Sequence, residues 1–175
     1  MEQESLAAEG YRFYAQEASE FAAASTRAVA EALMLDENLM SNMETEVERM
    51  NTITITAGDV SLPAELNDSP TARQVWDALP IAGTANTWGD EIYFEIPVRT
   101  KQEQDARAEV AVGELGYWPV GHAFCIFFGP TPASTDDRPR AYSPVNILGR
   151  VLGDATRFRV VPDGATVRLE RASEI

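Results

Sequence analysis

One cysteine and one histidine are all that this 175-residue chain holds of the two residue types most used for nucleophilic and metal chemistry. With Cys125 alone, no intramolecular disulfide can form. Its place inside an apolar run, residues 123–128, fits a buried, inert thiol. His122 lies three residues away, so on a strand the two side chains point to opposite faces, which disfavours a Cys–His pair. One histidine also excludes a histidine-rich metal site, and neither a metal nor a cofactor is expected. Basic residues are scarce too: 14 Lys and Arg stand against 28 Asp and Glu, a net charge of −14. That balance argues against nucleic acid, whose phosphates need clustered cations, and against an anionic membrane surface. There is no phosphate-cradling glycine loop, no nucleophile elbow and no Ser/His/Asp set. The opening MEQESLAAEG has no basic segment, and Glu17, Glu20, Arg27 and Glu31 interrupt the alanine-rich stretch after it. Neither a secretory leader nor a membrane span is expected, and the expected location is cytoplasmic.

Proline is missing from the first 50 residues, and Gly10 is their only glycine. Alanines are dense from Ala7 to Ala32, which favours helix. Tyr11, Tyr14, Ala18, Phe21, Ala28, Ala32, Leu35 and Leu39 recur in steps of three and four, with Ser25 in the one gap, and form an apolar stripe. Ser41 and Glu44 make a capping-box pattern for a second short helix. This acidic region carries 11 acidic against 3 basic residues. It reads as a helical arm over 1–49. A one-sided stripe on a lone helix is marginal in water, so a homodimer contact through residues 5–48 is expected, the alternative being an arm folded back on its own domain.

From Met50 the pattern changes. NTITIT alternates, with Ile53 and Ile55 on one face, and Gly58-Asp59 predicts a tight hairpin turn into VSLPAEL. Ser69 as N-cap and Pro70 at the first position open a helix over 70–79, which Pro80 ends. TANTW and EIYFEIP flank a second hairpin signal, Gly89-Asp90. Residues 123–128 read as a strand covered on both faces, with Phe124, Ile126 and Phe128 on one and Ala123, Cys125 and Phe127 on the other. Residues 129–144, with four prolines, read as a long loop, and strands resume after Pro144 as VNILGRVL and ATVRLERA. The piece GDATRFRVV is ambiguous between a short helix and a strand. Short strands, glycine turns and one helix suggest a barrel or a sandwich.

Three segments carry a resemblance: NTWGDEIYFEIP, GELGYWPVGHAFCIFFGPTP and SPVNILGRV. Together they resemble the signature segments of a small bacterial and archaeal family of cyclophilin-like proteins, over roughly residues 51–171. The resemblance implies a mainly β fold in residues 50–175: a closed β-barrel with one short capping helix, related to peptidyl-prolyl isomerases and here preceded by the helical arm. Active cyclophilins carry a Phe-His-Arg run, whose arginine polarises the prolyl amide, and a later Gln-Gly-Gly-Asp segment. Neither run occurs in this sequence, and function belongs to sites rather than folds. Arg99, Arg138, Arg140 and Arg150 remain, but nothing in the sequence places one at a groove. No catalytic residue is therefore assigned. The candidate groove is aromatic: Trp88, Glu91, Tyr93, Tyr117, Trp118, Phe127 and Thr131. Trp118 precedes Pro119 and is expected on extended chain. Asp90, Glu91 and Glu95 cluster near Trp88, with Glu91 sharing a face with Tyr93 and Glu95 on a regular strand. The expected function is a binding module for a small molecule or peptide. A weak or altered prolyl isomerase and a structural protein with an inert barrel are the alternatives.

Overall fold

The computed structural model describes residues 51–173, together with Glu37, Leu39 and Met40, which are helical. The rest of the expected arm over 1–49, and the dimer contact through 5–48, lie outside the described residues. In chain order the elements are β1 (Thr52–Ala57), β2 (Val60–Leu66), α1 (Pro70–Ala78), β3 (Ile81–Thr84), β4 (Asn86–Thr87) and β5 (Glu91–Glu95). Then come β6 (Arg107–Glu109), β7 (Glu114–Trp118), β8 (Ala123–Phe127), β9 (Arg140–Val151), a 3-10 helix (Ala155–Val160) and β10 (Thr166–Arg171). No helix among the described residues is long and apolar enough to cross a membrane.

Local chemistry accounts for most of these boundaries. Ala57 pairs with Val60, leaving Gly58-Asp59 as the two-residue turn, and Gly58 supplies the positive φ of +55° that the turn needs. The side chain of Ser69 accepts a hydrogen bond from the Ala72 N–H, with Pro70 in the first turn of α1. Ala72 and Val75 of α1 enter the core, and Trp76 packs against it. The ambiguous GDATRFRVV segment resolves into the 3-10 helix, capped by Asp154 accepting from the Thr156 N–H at 3.1 Å.

All strand pairings are antiparallel, and the sheet runs β3-β10-β1-β2-β9-β7-β8-β5-β4, with β6 attached to β9. This path is open, which corrects the expectation of a closed barrel. Its two ends, β3 and β4, are consecutive in the chain on either side of Ala85, and each has a single partner, β10 or β5. Between them, Ala85 carries the β3 pairing on into the turn before β10. Its N–H donates to the Ala165 carbonyl and its carbonyl accepts from the Gly164 N–H, both at 2.8 Å.

A second correction concerns residues 129–144. β9 begins at Arg140, inside the expected loop, because β6 supplies an unforeseen partner: Arg107 faces Val145 and Glu109 faces Arg140. Pro144 falls within the register shift between those pairs, so its missing N–H deprives the ladder of nothing.

The sheet has two buried faces. Inward, Phe94, Leu115, Tyr117, Phe124 and Ile126 join Ile53, Ile55, Leu148 and Phe158 in the main core. Outward, Cys125 and Phe127 form a smaller cluster with Val110, Ala141 and Val145, against which Tyr93 and Trp118 pack. The doubly covered strand read from residues 123–128 is thus β8, every residue of which is buried. Its outer cover comes from side chains of neighbouring strands. Asn146, fully buried, ties three segments together. Its Nδ2 donates to Thr71 Oγ1 (3.0 Å) and to the Lys101 carbonyl (2.9 Å), and its Oδ1 accepts from the Glu103 N–H (2.8 Å). Glu103 Oε1 in turn accepts from the Thr71 hydroxyl at 2.8 Å and from its N–H at 3.1 Å.

Candidate functional site

Strand alternation builds a pocket on the outer face. Along β5, Glu91 and Tyr93 point outward while Ile92 and Phe94 enter the main core. On β7, Trp118 lies outward and its neighbour Tyr117 inward. Trp88, in the turn before β5, Tyr142 of β9, and the pair Tyr93 and Trp118 wall a cavity of about 150 Å³, with Glu91, Ala141 and Val145 completing it. The rings meet at steep angles: Trp88–Tyr142 at 70°, Trp118–Tyr142 at 76° and Tyr93–Trp118 at 80°, with centroids 6.0–6.4 Å apart. Such edge-to-face contacts hold each ring by its neighbour. Trp118 is fixed further by its indole N–H, which donates to Ser143 Oγ at 2.6 Å. Trp88, Tyr93 and Trp118 are half-buried, and Tyr142 is exposed.

Glu91 is the one ionisable acid in this wall. It is 5% exposed, and burial pushes its pKa from 4.5 to about 7, opposed by a hydrogen bond from the Cys125 thiol. The thiol is itself driven well above its usual range, first by burial and then by the Glu91 charge. Cys125 therefore stays protonated and inert, as its place in the sequence suggested. His122 is turned elsewhere: its Nδ1 lies 3.3 Å from the Tyr117 hydroxyl. The rest of the acidic cluster is spoken for, Asp90 by Arg159 (3.3 Å) and Glu95 by Arg99 (3.0 Å).

The raised Glu91 pKa makes stability depend on pH with a definite sign. Below pH 4.5 the carboxyl is neutral in both folded and unfolded chain. Between 4.5 and 7 the unfolded chain ionises while the folded one keeps its proton, so stability falls as pH rises, and the full loss is reached above 7. Glu91→Gln does not titrate. Relative to the parent it gains about 2–3 kcal/mol more at pH 8 than at pH 5, at about 1.4 kcal/mol per pKa unit. Urea unfolding at both pH values measures this; a difference that stays constant with pH would mean that the carboxyl titrates normally.

Of the seven residues expected at the groove, the structure brings four together: Trp88, Glu91, Tyr93 and Trp118. Tyr117 is fully buried on the opposite face, its hydroxyl donating to the Val98 carbonyl at 2.7 Å. Phe127 lies in the apolar layer beside the pocket rather than on its wall. Thr131 is buried and its hydroxyl donates to the Arg140 carbonyl, so it pins the 129–139 segment to β9. Ala141 and Tyr142 were missed because that stretch read as loop; Val145 was read on a strand but not linked to the groove. The available signal was the period-two spacing of the small residues Ala141 and Ser143 with Val145, which is that of a strand. A second, larger cavity of about 410 Å³ lies along β6 and residues 135–140. Its arginines are already paired: Arg107 with Glu114, Arg138 with Asp136 and Arg140 with Glu109, at 2.6–3.2 Å.

A mainly β, antiparallel architecture with one short helix is what the three signature segments implied; the open sheet departs from the closed barrel they led one to expect. The chain belongs to the cyclophilin-like family, whose model matches residues 51–170. It is similar to the solution structure of a hypothetical protein from Archaeoglobus fulgidus, with 40% sequence identity and a TM-score of 0.61 over 72% of this chain and 96% of that one. No curated protein matches.

Proposed function

We propose that this cyclophilin-like protein is a binding module whose outer-face pocket takes a small organic group, either a free molecule or the tip of a larger ligand. One observation carries the reading. Four aromatic rings and a buried carboxyl converge on a preformed cavity. Holding Glu91 out of water costs stability at neutral pH. Ligand sites combine these elements: apolar and aromatic walls with a few placed polar groups. A volume near 150 Å³ is about that of a cavity that binds benzene, well below a drug-sized site.

The isomerase reading finds less support. Turning an X–Pro bond crosses a barrier of roughly 18–20 kcal/mol and needs a positioned donor. No arginine lines the pocket among the described residues. Arg99, Arg138, Arg140 and Arg150 face Glu95, Asp136, Glu109 and Glu65 instead. Amide and indole NMR shifts during titration with a mixed set of small aromatic, amide and amine fragments test the binding reading. Shifts centred on Trp88, Tyr93, Trp118 and Tyr142, lost in Trp118→Ala, are expected, while an X–Pro peptide isomerises at its uncatalysed rate. No fragment perturbing these residues would overturn it.

A further inference from the structure

We infer that the group this pocket selects is a small alkylated ammonium cation, an assignment that rests on the binding reading and narrows it. The first argument is shape. A flat ligand stacks on one ring, but here successive rings turn by 70–80° around one cavity. They present walls at near right angles, which a compact, rounded head group touches on several sides at once. The second is the electrostatics of those walls. Aromatic faces carry negative potential and attract cations, most strongly Trp, and quaternary ammonium groups are the ligands that aromatic cages suit. Two of the four rings here are Trp. The third is the carboxyl. Glu91 opens into the same cavity, with no Lys, Arg or His among the described lining residues to neutralise it. The basic groups nearby are engaged elsewhere, Arg159 with Asp90 and Arg99 with Glu95. An incoming cation meets an anion that has no counter-ion of its own.

Size and field agree with this. A cavity of about 150 Å³ admits a trimethylammonium-sized group and leaves any longer tail in solvent along the exposed Tyr142. The net charge of −14 draws cations toward the surface and repels anions. The titratable groups facing Glu91 are Tyr93 on its own strand, Cys125 on β8 and Tyr142 on β9. The Cys125 thiol stays protonated. Glu91 is thus the group whose ionisation changes the charge of the pocket around neutrality, and a bound cation favours its ionised form. Binding therefore releases a proton below pH 7 and tightens as pH rises.

The test uses the full chain, tryptophan fluorescence and calorimetry, and two probes of one shape: choline and its uncharged isostere 3,3-dimethyl-1-butanol. Choline is expected to bind about tenfold or more tighter than the alcohol at pH 8. Its affinity should fall about tenfold between pH 8 and pH 6, following the ionised fraction of a carboxyl titrating near 7. Glu91→Gln should reduce the preference and abolish the pH dependence, and Trp118→Ala should weaken choline binding while leaving its pH dependence. If both probes bind equally, the pocket is an apolar seat: the cation assignment fails and the binding reading stands. Affinity rising as pH falls would mean that a protonated Glu91 donates to a neutral acceptor, which also overturns it. No binding of choline overturns the assignment as well, and the fragment titration then decides separately whether the pocket binds anything.

Discussion

Gly149→Ala is expected to destabilise the protein by about 4 kcal/mol or more, or to abolish its folding outright. Gly149 lies on β9 where that strand is flanked on both sides, opposite Leu66 of β2 and opposite Leu115 of β7. Its φ of +149° is one that residues with a side chain rarely adopt. A Cβ there would collide with the carbonyl oxygen of Glu65 and crowd the Leu66 Cα, both backbone atoms. A flexible side chain could swing aside; a paired strand cannot move without breaking its ladder. Strain and collision thus fall on the seam that joins the β1–β2 hairpin to the pocket-bearing strands. Trp76, Trp88 and Trp118 are the chain's three tryptophans and all lie in the described part, so urea unfolding followed by fluorescence reports on this sheet. A loss below about 1 kcal/mol would mean that β2 and β9 are not so closely apposed.

Asn146→Ala should cost about 3–4 kcal/mol. The change creates only a modest cavity, but it strips partners from three groups: the Glu103 N–H, the Lys101 carbonyl and the Thr71 hydroxyl. A buried polar group left unpaired costs about 1–3 kcal/mol, more than an average hydrogen bond contributes. Glu103 then loses one of the contacts that hold its carboxylate over the first turn of α1, where it accepts from Thr71. The damage should spread along the irregular stretch between β5 and β6, detectable as faster amide exchange at residues 99–105 in the variant under native conditions. If exchange there were unchanged and stability fell by less than about 1 kcal/mol, Asn146 would not be the tie between these segments.

Short-range chemistry was legible in the sequence where one residue type settles the matter. Ser69-Pro70 fixed the start of α1, Gly58-Asp59 the first hairpin, and the unbroken run at 123–128 a strand covered twice. The reading weakened where the deciding partner is distant. β6 is three residues long and carries two charged side chains, so it has no pattern of its own; it exists because β9 pairs with it. The open path is a matter of which distant strands pair, β3 with β10 and β4 with β5, which no local pattern encodes. Half of the pocket followed from aromatic content, but Tyr117 was assigned to it against the rule that neighbours on a strand face opposite ways. Trp118 occupies the outer face, and Tyr117 is for that reason a core residue.

The alternation along β5 and β7 also bears on how such a protein could change over evolutionary time. Along β5 and β7 two sets of positions interleave: Ile92, Phe94, Leu115 and Tyr117 hold the interior, while Glu91, Tyr93 and Trp118 shape the outer cavity. Replacing a member of the second set leaves the interior packing untouched, and Glu91 in particular can be lost with a gain in stability at neutral pH. A lineage could therefore trade one outer side chain at a time and drift from one ligand to another without passing through an unfolded ancestor. A constraint lies at Val145, which lines the cavity: a side chain at residue 116 would strike its methyl 2.8 Å away, so Gly116 is tied to it.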